Sequence, residues 1–235
     1  MQALWLNALL LASKHPPRYA PACERGCAPF RARFWNEQGE YLYDVIDVGH
    51  QRGEVDASLR PNQIFAVGEL PMVLLPADQA RCVVDVVEQQ LWTPIGLRSL
   101  EQPHPNYRGR YIGGPAQRDA VYHQGTVWPW LIGPFVEAWL RVHGASLENK
   151  REAGRRFVEP LKRHLDDGGL SHISEIADGD APHMSHGCPF QAWSVGELIR
   201  LERTVLCGSE EKPRRRSRHP SRSTYDDRPS THLAR

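Results

Sequence analysis

The run His123-Gln124-Gly125-Thr126-Val127-Trp128-Pro129-Trp130-Leu131-Ile132-Gly133-Pro134 constrains this chain more than any other stretch. Two indoles, an imidazole and a side-chain amide fall within eight residues, and the run passes straight into the apolar segment Phe135 to Val142. Glycine and proline at this density suit a tight entry into a helix, whose first N–H groups have no partner inside the helix. An isolated tryptophan here would read as a buried corner of a helical core. Two tryptophans two positions apart, just behind His and Gln, shift the reading toward a pocket wall. An indole face can carry the C–H side of a pyranose, and imidazole and amide supply the fixed donors and acceptors that its hydroxyls demand.

At 235 residues the chain is one large domain or a piece of a larger one. Seven tryptophans are many for this length and fit a protein that binds rings. The net charge of +1 is unevenly spread, because residues 209–235 carry eight Lys/Arg against four Asp/Glu. The body is therefore faintly acidic and offers no nucleic-acid surface. Five cysteines are scattered, and the Cys23/Cys27 pair has no second pair at metal spacing. A zinc site takes about four ligands, so reduced thiols in a cytosolic protein are the simplest account. His172, His183, His186 and Cys188 share a polar loop at borderline metal spacing and read as hydrogen-bonded or solvated side chains. No metal or other cofactor is expected. Met1 to Ala12 is apolar but lacks a basic start and a small-residue cleavage site, so it reads as a helix rather than a signal peptide. No run approaches the roughly 20 apolar residues of a membrane span, and a cytoplasmic location is expected.

Helices are expected over residues 2–13, 23–34, 64–75, 79–91, 148–165 and 190–206, with a further one ending near Val142. Val83, Val84, Val86, Val87 and Leu91 mark the apolar side of the fourth. Tyr41-Leu42-Tyr43-Asp44-Val45-Ile46 alternates and suggests a short extended segment. Residues 49–58, 92–122 and 166–187 read as loops, and a connection as long as the second is usually functional. The pattern predicts an all-α fold of helical hairpins laid side by side, occupying residues 1–206. Residues 207–235, rich in Arg, Ser, His and Pro, read as a disordered basic tail, with a nuclear-import or RNA-contact tract as the functional alternative.

Met1-Gln2-Ala3-Leu4-Trp5-Leu6-Asn7-Ala8-Leu9, Phe34-Trp35-Asn36, Tyr41-Leu42-Tyr43-Asp44, Arg60-Pro61-Asn62-Gln63, Thr93-Pro94-Ile95-Gly96-Leu97-Arg98-Ser99-Leu100, the His123–Trp130 run, Ser174-Glu175-Ile176 with Asp178-Gly179, and Gln191-Ala192-Trp193-Ser194 stand in order along the chain. Together they resemble the C-terminal amylo-α-1,6-glucosidase domain of glycogen debranching enzymes. The resemblance implies a partial (α/α)6 toroid holding roughly the last three or four helical hairpins. It also implies a glycoside hydrolase that removes α-1,6-linked glucose with inversion at branch points of glycogen, limit dextrin or maltodextrin. An upstream chain completing the toroid is a further implied partner. A non-catalytic carbohydrate-binding module that keeps the aromatic pocket is the alternative.

Inverting hydrolysis needs two carboxyl groups about 6.5–9.5 Å apart, one giving a proton to the leaving oxygen and one taking a proton from water. By resemblance, Glu175 occupies the position of the general base. Asp178 and its neighbour Asp180 shape the turn or hold a substrate hydroxyl. The family's general acid falls before residue 1, and Asp44, Asp47, Asp56 and Asp119 do not match it, so the chain alone is expected to have negligible activity. Arg60, Asn62 and Gln63 form a polar cluster suited to vicinal hydroxyls, with helix capping and a salt bridge as the alternative. His123 and Gln124 are the expected sugar contacts. Trp128 and Trp130 are the expected stacking faces, although one of them also fits a core position. Gln191 and Trp193 join the substrate-binding set, and Trp35, Tyr107 and Tyr111 either rim the pocket or pack.

Overall fold

The computed structural model describes residues 1–14, 17–167 and 171–208. The expected basic tail lies, from residue 209 onward, outside them. Helix α1 (Gln2–Ala12) is built from Leu, Ala and Trp without a β-branched residue, and Ser13 closes its end by donating to Leu10 O at 2.6 Å. It packs its Ala3, Leu6 and Leu9 side against α2 (Ala20–Phe34). In α3 (Ala77–Leu91), Val83, Val84, Val87 and Leu91 recur at helical spacing and are fully buried. Each such side chain contributes about 1.5–3 kcal/mol of burial, so this stripe fixes the helix onto α5 (Ile132–His143). Trp139 on α5 lies beneath α3 and donates its indole N–H to Glu88 at 3.1 Å.

Ser146 caps α6 (Leu147–Ala153) by accepting from Asn149 N at 3.1 Å. A π turn, Gly154–Val158, joins it to α7 (Glu159–Asp167) as one continuous helical stretch. Phe157 in that turn meets Phe135 and Trp139 edge-on, with ring centres 5.1 and 5.7 Å apart. Helix α8 (Ala192–Arg200) covers the other side of α5, and the short α4 (Pro115–Val121) lies in the long connection. Among the described residues no helix is long and apolar enough to cross a membrane.

The all-α expectation, and with it the partial (α/α)6 toroid of three or four hairpins, is overturned. Among the described residues, a five-stranded antiparallel sheet and two antiparallel strand pairs stand alongside eight α-helices, so the fold is mixed α/β. The sheet runs β5 (Trp92–Thr93), β6 (Gly96–Arg98), β7 (Val127–Trp128), β8 (Ile176–Ala177) and β9 (Ser185–His186) in that spatial order. The pairs are β1 (Trp35–Asn36) with β2 (Tyr41–Leu42), and β3 (Val45–Ile46) with β4 (Val55–Asp56). Strands of two or three residues are too short for alternation to be read. Val127, Trp128, Ile176 and Ala177 are also buried on both faces, which erases the pattern altogether. Pairing such as Val127 with Ala177 joins segments far apart in the chain. The expected loops 92–122 and 166–187 therefore carry strands. The expected helix over 64–75 is instead a 3₁₀ turn, Pro61–Ala66, followed by bends. Close packing of Gly68 on Pro134 O, which a Cβ would approach to 2.5 Å, fixes that break.

Candidate active site

The sheet sets the end of the β6–β7 connection, β7 with the turn after it, and the β8–β9 hairpin side by side, and Glu175 stands immediately before β8. Backbone bonds hold the position, with Glu175 N donating to Cys188 O at 2.8 Å and Cys188 N donating back to Glu175 Oε2 at 3.0 Å. Tyr122 donates its hydroxyl to Glu175 Oε1 at 2.6 Å. Each carboxylate oxygen thus has one fixed donor and keeps lone pairs free, on a side chain that is partly open to solvent. Gly187 makes this possible, because it sits at φ +71° and a Cβ there would come within 2.5 Å of Glu175 Oε2. Burial, together with the adjacent Glu175 carboxylate, pushes the Tyr122 phenol well above its ordinary range, so it remains a donor.

Around this pair the rings close up. Tyr122 meets His123 and Trp128 edge-on, at 4.9 and 5.0 Å between ring centres, and His123 stacks flat on Trp128 at 5.1 Å. Trp128 is only 8% exposed, and its indole N–H is buried without a hydrogen-bond partner among the described residues. His123 is exposed, although one of its faces lies on Trp128. Burial of that face and the nearby Arg60 charge hold its pKa below the usual histidine range, favouring neutral imidazole. Tyr111 completes the group, with ring centres 5.9 Å from Tyr122 and 5.5 Å from His186.

Arg60 braces the site. Its Nη1 donates to Ser99 O at 3.1 Å and His123 O at 2.7 Å, its Nη2 donates to Gln124 Oε1 at 3.1 Å, and its Nε lies 3.4 Å from Asp44 Oδ2. Most of its donors are therefore directed at protein, and Gln124 is drawn into the same brace. Gln63 is buried, accepting from Leu42 N at 3.1 Å and donating to Arg60 O at 3.0 Å. Asn62 is exposed. It lines, with Phe34, Leu42, Tyr43, Asp44 and Arg60, a cleft of about 400 Å³ next to the brace. In the sequence Asp44 stands only among carboxylates that do not match the proton donor. Its place in this cleft depends on strand pairing that no local pattern announces.

Asp178 is 2% exposed and accepts from Tyr111 N at 2.8 Å and from Arg110 at 3.2 Å. His186 Nε2 lies 3.0 Å from it but is misaligned for a hydrogen bond. Asp180 accepts from Tyr107 at 2.9 Å, and His183 Nδ1 lies 3.0 Å from Asp178 O. Among the described residues no three His, Cys, Asp or Glu side chains converge as a metal-binding group. Trp130 stands apart from Trp128. It lies in a row with Phe65 at 6.1 Å and Trp193 at 6.0 Å, and Trp193 is 51% exposed. Gln191 caps α8, its backbone N–H donating to Ile173 O at 3.0 Å. The structure thus brings Glu175, His123, Trp128, Arg60 and Gln124 together and puts Trp130, Trp193 and Gln191 on a neighbouring surface.

Beside this carboxylate, ring cluster and polar-lined cleft stands a family match, because residues 1–200 match the amylo-alpha-1,6-glucosidase family. The chain belongs to that family, and its kinship is with glycogen-debranching glycoside hydrolases. A relative is the glycogen debranching enzyme of Saccharomyces cerevisiae, 27% identical over an alignment of 164 residues that covers 62% of this chain and 11% of the yeast protein. The chain thus spans a small part of that relative's length.

Proposed function

We propose that this chain is the base-bearing part of an α-1,6-glucosidase that removes glucose from branch points of glycogen, limit dextrin or maltodextrin with inversion. The observation that carries the reading is the Glu175 carboxylate, held by Tyr122 and Cys188 N beside the His123–Trp128 stack. In this account Glu175 takes a proton from the attacking water. The two neutral donors keep the carboxylate pointed at that water without cancelling its charge. The exposed side chains of His123 and Asn62 meet sugar hydroxyls. Arg60, Gln63 and Gln124 set the spacing of these groups. Asp178 fixes the loop that presents Glu175.

The proton donor comes from a segment outside these 235 residues. General-acid catalysis typically contributes 10²–10⁴-fold, so the chain alone turns over branched dextrin very slowly. Residues 1–206 form the functional unit, and the basic tail takes no part in the chemistry. The working place is the cytoplasm. Glu175→Gln tests the assignment in the assembled enzyme. Glucose release from limit dextrin falls by 10³-fold or more while oligosaccharide binding stays within about twofold. Retained hydrolysis in that variant would end the reading.

A further inference from the structure

The cleft beside the Glu175 cluster holds a carboxylate that the hydrolytic reading leaves unused. Asp44 is anchored by its backbone N–H, which donates to Asp56 O at 2.9 Å in line with the β3–β4 pair. Its Oδ2 lies 3.4 Å from Arg60 Nε, and its side chain is 22% exposed on the cleft wall. An ionised carboxylate offers about four lone-pair sites, and Arg60 and Asn62 together take up only part of them. The other carboxylates nearby are engaged. Asp178 takes Tyr111 N and Arg110, and Asp56 takes both the N–H and the hydroxyl of Ser58 at 2.9 and 2.6 Å. Phe34, stacked on Phe30 at 5.0 Å, and Leu42 give the cleft its apolar lining.

Half-buried acceptors with unused capacity in a cleft partly lined by apolar side chains match a pyranose, which presents adjacent hydroxyls on its edge and C–H groups on its face. We infer that Asp44 accepts two adjacent hydroxyls of a glucosyl ring held in this cleft, and that Arg60 is its positioning residue. Resting on the glucosidase reading of the Glu175 site, this moves sugar recognition from the Arg60 guanidinium, whose donors are largely taken, to the acid it orients. Because Arg60 also reaches His123 O and Gln124, it sets the register between the bound ring and the Tyr122–Glu175 pair.

Calorimetric titration with maltotriose tests this. Asp44→Asn weakens binding tenfold or more, Asn62→Ala weakens it severalfold, and Glu175→Gln leaves it within twofold. Arg60→Gln weakens binding in the parent chain but adds nothing once Asp44→Asn is present, a non-additivity that a merely structural role for Arg60 would not give. Asp44→Asn melts no lower than the parent, which separates lost recognition from unfolding. If Asp44→Asn binds as the parent does while His123→Ala abolishes binding, the ring lies elsewhere in the cluster. This inference then falls and the glucosidase reading stands. A parent chain that binds no maltotriose overturns both.

Discussion

Two residues decide how the site behaves. Tyr122 is the hydroxyl that fixes one Glu175 oxygen at 2.6 Å, and hydrogen bonds to charged groups contribute about 1.5–3 kcal/mol. Tyr122→Phe keeps the ring packing on His123 and Trp128 but frees the carboxylate, so kcat in the assembled enzyme falls about tenfold with KM nearly unchanged. Equal kinetics in that variant would show that the bond is incidental. Asp44 has the opposite character, since burial raises its pKa against the opposing pull of Arg60 and Asn62, with Asp56 adding to the rise. Besides Arg60 and Asp56, the Met1 amino group is the charged group that acts on it, lowering its pKa. A raised acid binds its proton more readily folded than unfolded. Its contribution is therefore favourable below the unfolded carboxylate pKa and is lost as pH rises through the folded one. Asp44→Asn flattens that part of the stability–pH curve and raises the melting temperature at neutral pH. A variant whose curve parallels the parent's would contradict the burial argument. Neither effect could be read from sequence. Tyr122 adjoins the His123–Trp130 run, but only the fold brings Glu175 to it from 53 positions away.

At the scale of elements, legibility followed length. Helices α3, α5 and the α6–α7 stretch carry enough turns for an apolar stripe to show, α1 is legible from its run of helix-forming Leu, Ala and Trp, and each stands close to where the sequence places it. The sheet was invisible because each strand is two or three residues long and the central pair is buried on both faces. The functional motif was legible as composition, in that the density of ring and amide groups at His123–Trp130 marked the right stretch. Its division was not legible. Trp128 turns to His123 and Trp130 to Phe65 and Trp193, because a short strand gives way to a 3₁₀ turn between them. Leu91, fully buried at the end of the α3 stripe, when changed to Ala costs about 2–5 kcal/mol in chemical denaturation. A loss under 1 kcal/mol would mean that α3 is not seated in the core as described.

At the scale of the molecule, the helices form the packed body, and the sheet ties the long connections into a single working surface. The chain carries a positioned carboxylate, an aromatic cluster and a cleft, and Glu175 is proposed as the base of a site whose proton donor comes from elsewhere. A substrate whose leaving group needs no proton isolates that claim. α-D-glucosyl fluoride expels fluoride unassisted, so the 235-residue chain should hydrolyse it without the missing acid, releasing β-glucose. Glu175→Gln should abolish this turnover, and branched dextrin should remain nearly inert to both. Fluoride release unaffected by Glu175→Gln, or α-glucose as the first product, would contradict the account.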